Sequence, residues 1–264
     1  MKRIVVAFAL AALGFAAQAQ QLEEVARYNA PEARQGVAVD AQHFYAISDR
    51  AIGKYEKASG KLLAKWEGPK DGAVIHLDSG VVIDGKLYAA HSNYPQEPMT
   101  SSIEVWDVAS MKHVASHSFG IQWGSMTWLD RHDGAWWGVF ANYSRVFGTS
   151  QRPHGNSYWT TLVKFDDRFQ QQQAWIFPTK IIARSEPMSI SGGSWGHDGK
   201  LYVTGHDHAE VYVLQLPKAG SVLEHLATIP MAIHGQGIAW DRSDRGVLWG
   251  ISRQNSQVVA ARLR

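Results

Sequence analysis

No cysteine occurs anywhere in the 264 residues. That excludes disulfides, a thiolate nucleophile, thiolate metal ligands and a thiol-borne lipid anchor. No apolar run reaches the roughly 20 residues that a membrane-spanning helix needs. The longest, Ile4 to Ala17, has 14, preceded by Lys2 and Arg3 and followed by the small-x-small sequence Ala17-Gln18-Ala19. This arrangement is that of a secretory signal peptide over residues 1–19. The expectation is therefore export to the periplasm or medium and a mature chain, residues 20–264, that leaves the membrane. Excess charge is also lacking. Setting aside Lys2 and Arg3, 24 basic residues face 24 acidic ones, whereas a general polyanion binder would carry a basic surplus. Nucleic acid is not an expected partner. A complete P-loop is absent, and neither a dinucleotide fingerprint nor a nucleophilic triad is expected in a chain of this pattern.

What the sequence does contain is a repeat. A glycine opens a short alternating apolar strand, a turn follows, and a second strand carries Tyr or Trp. The five copies begin at Gly36, Gly80, Gly124, Gly193 and Gly237, at spacings of 44, 44, 69 and 44. One four-stranded blade of a β-propeller takes about 40 to 50 residues. The long spacing is read as a loop insertion in the third blade, mainly Ser144 to Tyr158. Too few residues follow Gly237 for a whole blade, so the strand around Leu22 to Tyr28 is expected to complete the last one. An all-β fold follows: a single five-bladed propeller, its ring closed by the N-terminal strand, with no open sheet edge at the seam. A monomer is expected.

Topology then sorts the candidate residues. Connections entering each blade and those after its second strand emerge on one face, around the channel mouth. That face receives Gln35, Arg50, His76, His91, Asn93, Tyr94, Trp123, Asn142, Tyr143, Ser191, His206, Gln236, His234 and Arg253. Of the 12 histidines, those in the opposite turns and outer strands (His43, His132 and His197 among them) are read as structural. The repeated glycines are expected to let backbones crowd near the axis, and the tryptophans to pack between blades.

A concave cluster of convergent polar groups is a binding-site candidate. Three chemistries fit it. The first is acid/base catalysis on a small polar or anionic ligand such as a sugar acid, of lyase or isomerase type. His76, His91, His206, His234 and Tyr143 would move protons, and the arginines would neutralise a carboxylate. The second is a divalent, zinc-like metal on His76, His206 and His234, or on His91 in place of one of them. The third is non-catalytic binding of a sugar or peptide by Trp123, Tyr94 and the insertion.

The stretches Gln35-Gly36-Val37 and Gly237-Ile238-Ala239-Trp240-Asp241 resemble the plant-type glutaminyl cyclases, which are exported five-bladed propellers of similar length. The resemblance implies the fold and a pocket position for Gln35, with cyclase-like aminoacyl transfer as an alternative activity. That family is expected to carry an acid just before the second-blade glycine. Here the stretch is Leu77-Asp78-Ser79-Gly80, with the acid one position removed.

Overall fold

The computed structural model describes residues 20–148, 151–153 and 155–264. The expected signal segment and His154 of the insertion lie outside these residues. The chain opens with β1 (Leu22–Asn29), which is set aside for the last blade. Blade one is β2 (Gly36–Val39), β3 (His43–Ser48), β4 (Ala51–Glu56) and β5 (Leu62–Glu67). Blade two is β6 (His76–Ile83), β7 (Lys86–Ser92), β8 (Ser101–Asp107) and β9 (Lys112–Gly120). Blade three is β10 (Ser125–His132), β11 (Ala135–Ala141), β12 (Thr161–Phe165) and β13 (Gln171–Ile176). Blade four is β14 (Gly192–Trp195), β15 (Leu201–Thr204), β16 (Glu210–Gln215) and β17 (Glu224–Pro230). Blade five joins β18 (Ala239–Trp240), β19 (Val247–Ser252) and β20 (Gln257–Leu263) to β1, which pairs antiparallel with β20. The five-bladed all-β ring read from the repeat is the fold.

Burial follows strand order. The innermost strands are largely buried, Gly36–Val39 and Gly192–Trp195 along their whole length, while the outermost strands alternate or face water. A strand covered on both faces by neighbouring blades has no solvent side, so its side chains need not alternate in polarity. The core accordingly divides into inter-blade clusters. Tyr45, Leu77 and Trp106 lie between blades one and two, and Met126, Phe140 and Val105 between two and three. Trp128, Trp137 and Trp195 lie between three and four, and Tyr202 and Trp240 between four and five. Phe44, Trp249 and Tyr28 close the seam between five and one. Lys57 of blade one also reaches Asp241 of blade five, Nζ to Oδ2 at 2.5 Å.

The extra length of blade three is shared by two segments. The β11–β12 connection carries the expected insertion, with a 3-10 turn at Ser157–Trp159. The second segment is α1 (Thr179–Ser185), between blades three and four, which buries Ile181 and Ile182 against their shared core. Two turns of helix are too short to leave a periodic signature, so this element was not legible in the sequence.

Candidate functional site

The entries to the innermost strands converge on the axis, and with them a cavity of about 240 Å³ to which every blade contributes. Blade one gives Gln35, and blade two His76, Asp78 and Tyr94. Blade three gives Thr127, Tyr143 and Arg145; the entry to blade four and the connection after its second strand give Met188, Ser191 and His206; blade five gives Gln236 and Arg253.

The centre of this pocket is built by an irregularity in β6. Leu77 pairs with His91 and Gly80 with Ala89, so Asp78 and Ser79 together stand opposite one residue, Ala90. Such a bulge re-aims side chains. Ser79 turns against Gly36 and Gly237 at the axis, and His76 and Asp78 reach the pocket. His76 Nδ1 lies 2.6 Å from Asp49 Oδ1, which also accepts from Gln35 Nε2 at 2.7 Å. With Nδ1–H donated to Asp49, the other ring nitrogen faces Asp78 Oδ2 at 3.5 Å. The Tyr94 ring covers the imidazole, centroids 4.8 Å apart. Asp78 is 5% exposed, and its Oδ2 has no hydrogen-bond partner among the described residues.

A buried carboxyl of this kind resists ionisation. Burial pushes Asp78 up to about 7, assisted by the Asp49 charge and opposed by His76 and Arg253. At His76 burial disfavours the cation, but the carboxyls of Asp78 and Asp49 outweigh it and raise the pKa. At Asp49 burial is outweighed by the His76 and Gln35 hydrogen bonds, so that group stays an anion. The three groups titrate as a coupled set. Arg145 and Arg253 add two cations to the wall, beside the carboxyl of Asp78.

The sequence-derived candidates fall into two groups. Gln35, His76, Tyr94, Tyr143, Ser191, His206, Gln236 and Arg253 line the cavity. His91 does not. Its Nε2 accepts the Ile75 amide at 3.1 Å and its Nδ1 meets Ser102 Oγ at 2.8 Å. Ser102 in turn donates to Glu104 at 2.6 Å, and Glu104 holds His113. Accepting at Nε2 requires the neutral tautomer protonated at Nδ1, and burial lowers its pKa to about 4.

His91 thus belongs to a network across blade two. Its neutral form contributes stability that is complete above pH 6.5 and is lost as pH falls toward 4, on the order of 3 kcal/mol. Melting of His91→Gln across this range should lose that acid-side gradient. An unchanged gradient would remove His91 as its source.

His234 lines an adjoining hollow of about 250 Å³ that shares His206, Gln236 and Arg253 with the axial pocket. Its Nδ1 binds the Asp207 carbonyl, while His206 Nδ1 meets Asp207 Oδ1 at 2.6 Å. The three-histidine metal centre is therefore not assembled. Among the described residues no group of three His, Asp or Glu is placed to hold a metal. Arg50 donates to the carbonyls of Pro69 and Val74, and Asn93 ties the Pro98–Thr100 loop. Trp123 and Asn142 line a separate groove.

Tyr143 and Tyr94 are suited to donating a proton rather than to removing one. Burial raises both phenols, overriding the cations near Tyr94 and the Ser125 hydrogen bond at Tyr143, so each stays protonated at neutral pH.

Asp78, Arg145, Thr127 and Met188 also line the cavity and Asp49 holds His76, though none of the five is among the sequence-derived candidates. A bulge and an inserted loop position two of them, and neither leaves a fixed spacing in the chain. One motif match is structural: Gly192-Gly193-Ser194-Trp195-Gly196 has nucleophile-elbow spacing. Ser194, however, is buried in β14, where it donates to Asp130 and accepts from the Trp240 amide.

No family model matches this sequence, and no curated protein matches it. Solved structures do match. A chain of a mitotic checkpoint complex aligns at 10% identity and TM-score 0.51, over 99% of this chain and 99% of that one. A luciferin-regenerating enzyme aligns at 10% identity and TM-score 0.52, over 93% and 95%. The PQQ-bound aldose sugar dehydrogenase of Streptomyces coelicolor aligns at 9% identity and TM-score 0.53, over 93% and 99%. At such identities the likeness is one of fold alone, and it agrees with the strand order, which makes the chain a five-bladed β-propeller.

Proposed function

We propose that this protein is an acid/base enzyme acting on a small, polar, anionic substrate in the axial pocket. Asp78 carries the proton, and Arg253 and Arg145 hold the substrate's carboxylate. The observation that carries this reading is Asp78 itself, a buried carboxyl at the bulge that lines the same cavity as both guanidiniums; its Oδ2 has no hydrogen-bond partner among the described residues and only an ion-pair contact, at 3.5 Å, with His76 Nε2. A buried acceptor without a hydrogen bond costs about 1–3 kcal/mol, and a substrate that donates to Oδ2 would remove that cost on binding. A carboxyl with a pKa near the working pH is suited to taking and returning a proton. His76, fixed by Asp49, stabilises the Asp78 anion, and protonated Tyr143 can donate to charge developing on the substrate. Removal of a proton beside a carboxylate, as in an isomerase or lyase on a sugar acid, uses all of these groups. The proposed setting is the periplasm or medium, resting on the N-terminal signal pattern.

The test is proton exchange. Uronic and aldonic acids are incubated with the protein in deuterated water and followed by NMR. Loss of the α-proton signal is expected, slowed about 10²- to 10⁴-fold in Asp78→Asn, with Arg253→Ala acting mainly on KM. Exchange that survives Asp78→Asn intact would end the acid/base reading. Tight binding without exchange would leave a non-catalytic sugar-acid binder.

A second reading has its own support. Gln35 and an acid from the second blade share one pocket, as the resemblance to plant-type glutaminyl cyclases implies, because the bulge admits Asp78 from one position before Ser79. Peptides with N-terminal glutamine would then release ammonia, again through Asp78.

A further inference from the structure

Beside the axial pocket runs a groove of about 760 Å³, lined in part by Trp123, Trp159, Gln122, Asn142, Glu97 and Met99. That volume is within the roughly 300–1,000 Å³ of small-molecule sites. Trp159 is 65% exposed, and Trp123, itself only partly buried, lines the same groove, so the two indoles offer adjoining apolar surface rather than a single exposed ring.

The backbone at the two indoles is held in place. The Asn142 side-chain amide donates to the carbonyl of Trp123 at 3.2 Å and to that of Trp159 at 3.5 Å, bracing both sides of the groove. Glu186 accepts from Ser157 at 2.7 Å and from Tyr158, fixing the turn that presents Trp159. Asn93 braces the opposite rim, accepting from the Thr100 amide and donating to the Pro98 carbonyl. The backbone that carries the platform is ordered by these bonds.

Pocket and groove share a wall. Asn142 lines one and its neighbour Tyr143 the other. Met99 of the groove packs in one cluster with Tyr143 and Tyr94 of the pocket.

We infer that the groove is a subsite for a sugar chain, whose acidic terminal unit occupies the axial pocket while a following ring stacks on Trp159 and Trp123. A sugar ring presents a C–H face to an indole and hydroxyls at its edge, and Gln122, Asn142 and Glu97 supply planar amide and carboxylate partners at that edge. A peptide is the weaker fit. Extended peptides take main-chain hydrogen bonds from an exposed strand, whereas Thr161 is the one lining residue that belongs to a strand. The inference rests on the axial pocket being a ligand site, but it can fail separately.

The experiment is calorimetric titration with galacturonic and glucuronic acids and their two- to four-ring oligomers, with Gln-initiated tripeptides as controls. Oligomers are expected to bind at least tenfold more tightly than the single acids. Trp159→Ala should erase that advantage without altering monomer affinity or the melting temperature, since the indole is exposed. Arg253→Ala should weaken monomer and oligomer alike. Equal affinity of monomer and oligomer, an advantage that survives Trp159→Ala, or a Trp159-dependent preference for peptides would each overturn the groove assignment while leaving the axial site standing. Binding of neither monomer nor oligomer would overturn both. An oligomer effect that needs Trp159 and ignores Arg253 would keep the groove and remove the anionic pocket.

Discussion

Asp78→Asn is expected to make the protein inactive and, at pH 8, more stable. The two effects have one cause. The buried Asp78 carboxyl titrates near 7 in the folded chain, against 3.8 for a free carboxyl. A group whose folded pKa is raised contributes stability that is complete below its unfolded pKa and is lost as pH rises through the folded one. From pH 4 to pH 7 the native state therefore loses stability on account of Asp78, by at most about 4 kcal/mol. His76 offsets part of this, because the cation it becomes is stabilised by the same carboxylate.

Asparagine keeps the shape of the neutral acid and carries no charge. A net gain of about 1–3 kcal/mol at pH 8 should raise the melting temperature by roughly 3–8 °C. At pH 4, where Asp78 is neutral in the folded protein, the difference should vanish. Melts of both proteins at pH 4, 6 and 8 decide it, and a variant no more stable than the parent at pH 8 would mean that the carboxyl is satisfied there. The His91 gradient runs in the opposite direction over an overlapping range, so the His91→Gln comparison is cleanest in the Asp78→Asn background.

Gly237→Ala is expected to be among the most destabilising single substitutions in the chain. A Cβ at position 237 would lie 2.7 Å from the Gly36 Cα and 2.7 Å from the Ser79 Cβ. Two of the three neighbours are thus tied to backbone, and neither can rotate away. The Gly237 amide also donates to the Gln35 carbonyl at 2.9 Å, joining blade five to blade one at the axis. Added volume in a packed core costs about 1–3 kcal/mol, occasionally more. Here relief requires moving an innermost strand, so about 3 kcal/mol or more is expected, a fall of roughly 6–12 °C in melting temperature. The same displacement should weaken ligand binding through Gln35 and Gln236. A change within half a kcal/mol, about what an ordinary surface substitution produces, would show that the collar of glycines has slack.

Of the five glycines whose repeat made the fold legible, Gly36 and Gly237 stand at this axis, against each other and Ser79, because innermost strands touch there; Gly80 and Gly124 face the second strand of their own blades, and Gly193 faces the Trp128 ring. Much of the site was legible for the same reason. Once the blades are counted, the residues before each glycine must ring one mouth, which places Gln35, His76, Ser191 and Gln236 together. His91 escaped that logic. It lies on the second strand of its blade, paired with Leu77, and its ring runs sideways into the Ser102–Glu104 network rather than toward the axis. Arg145 escaped it too, since it enters from an insertion that the repeat does not describe.

The sequence by itself determined the number of blades, the closure of the ring by its N-terminal strand and the face on which polar groups collect. These depend on periodic glycine and strand patterns, which are local and additive along the chain. The tertiary structure alone decided which of those polar groups meet. The bulge at Asp78-Ser79, the neutral tautomer of His91, the placing of His234 and His76 in different hollows and of Trp123 and Trp159 in one groove all depend on contacts made between strands and loops once they are packed. Burial and charge act through such distances in space, and residue spacing along the chain carries no record of them.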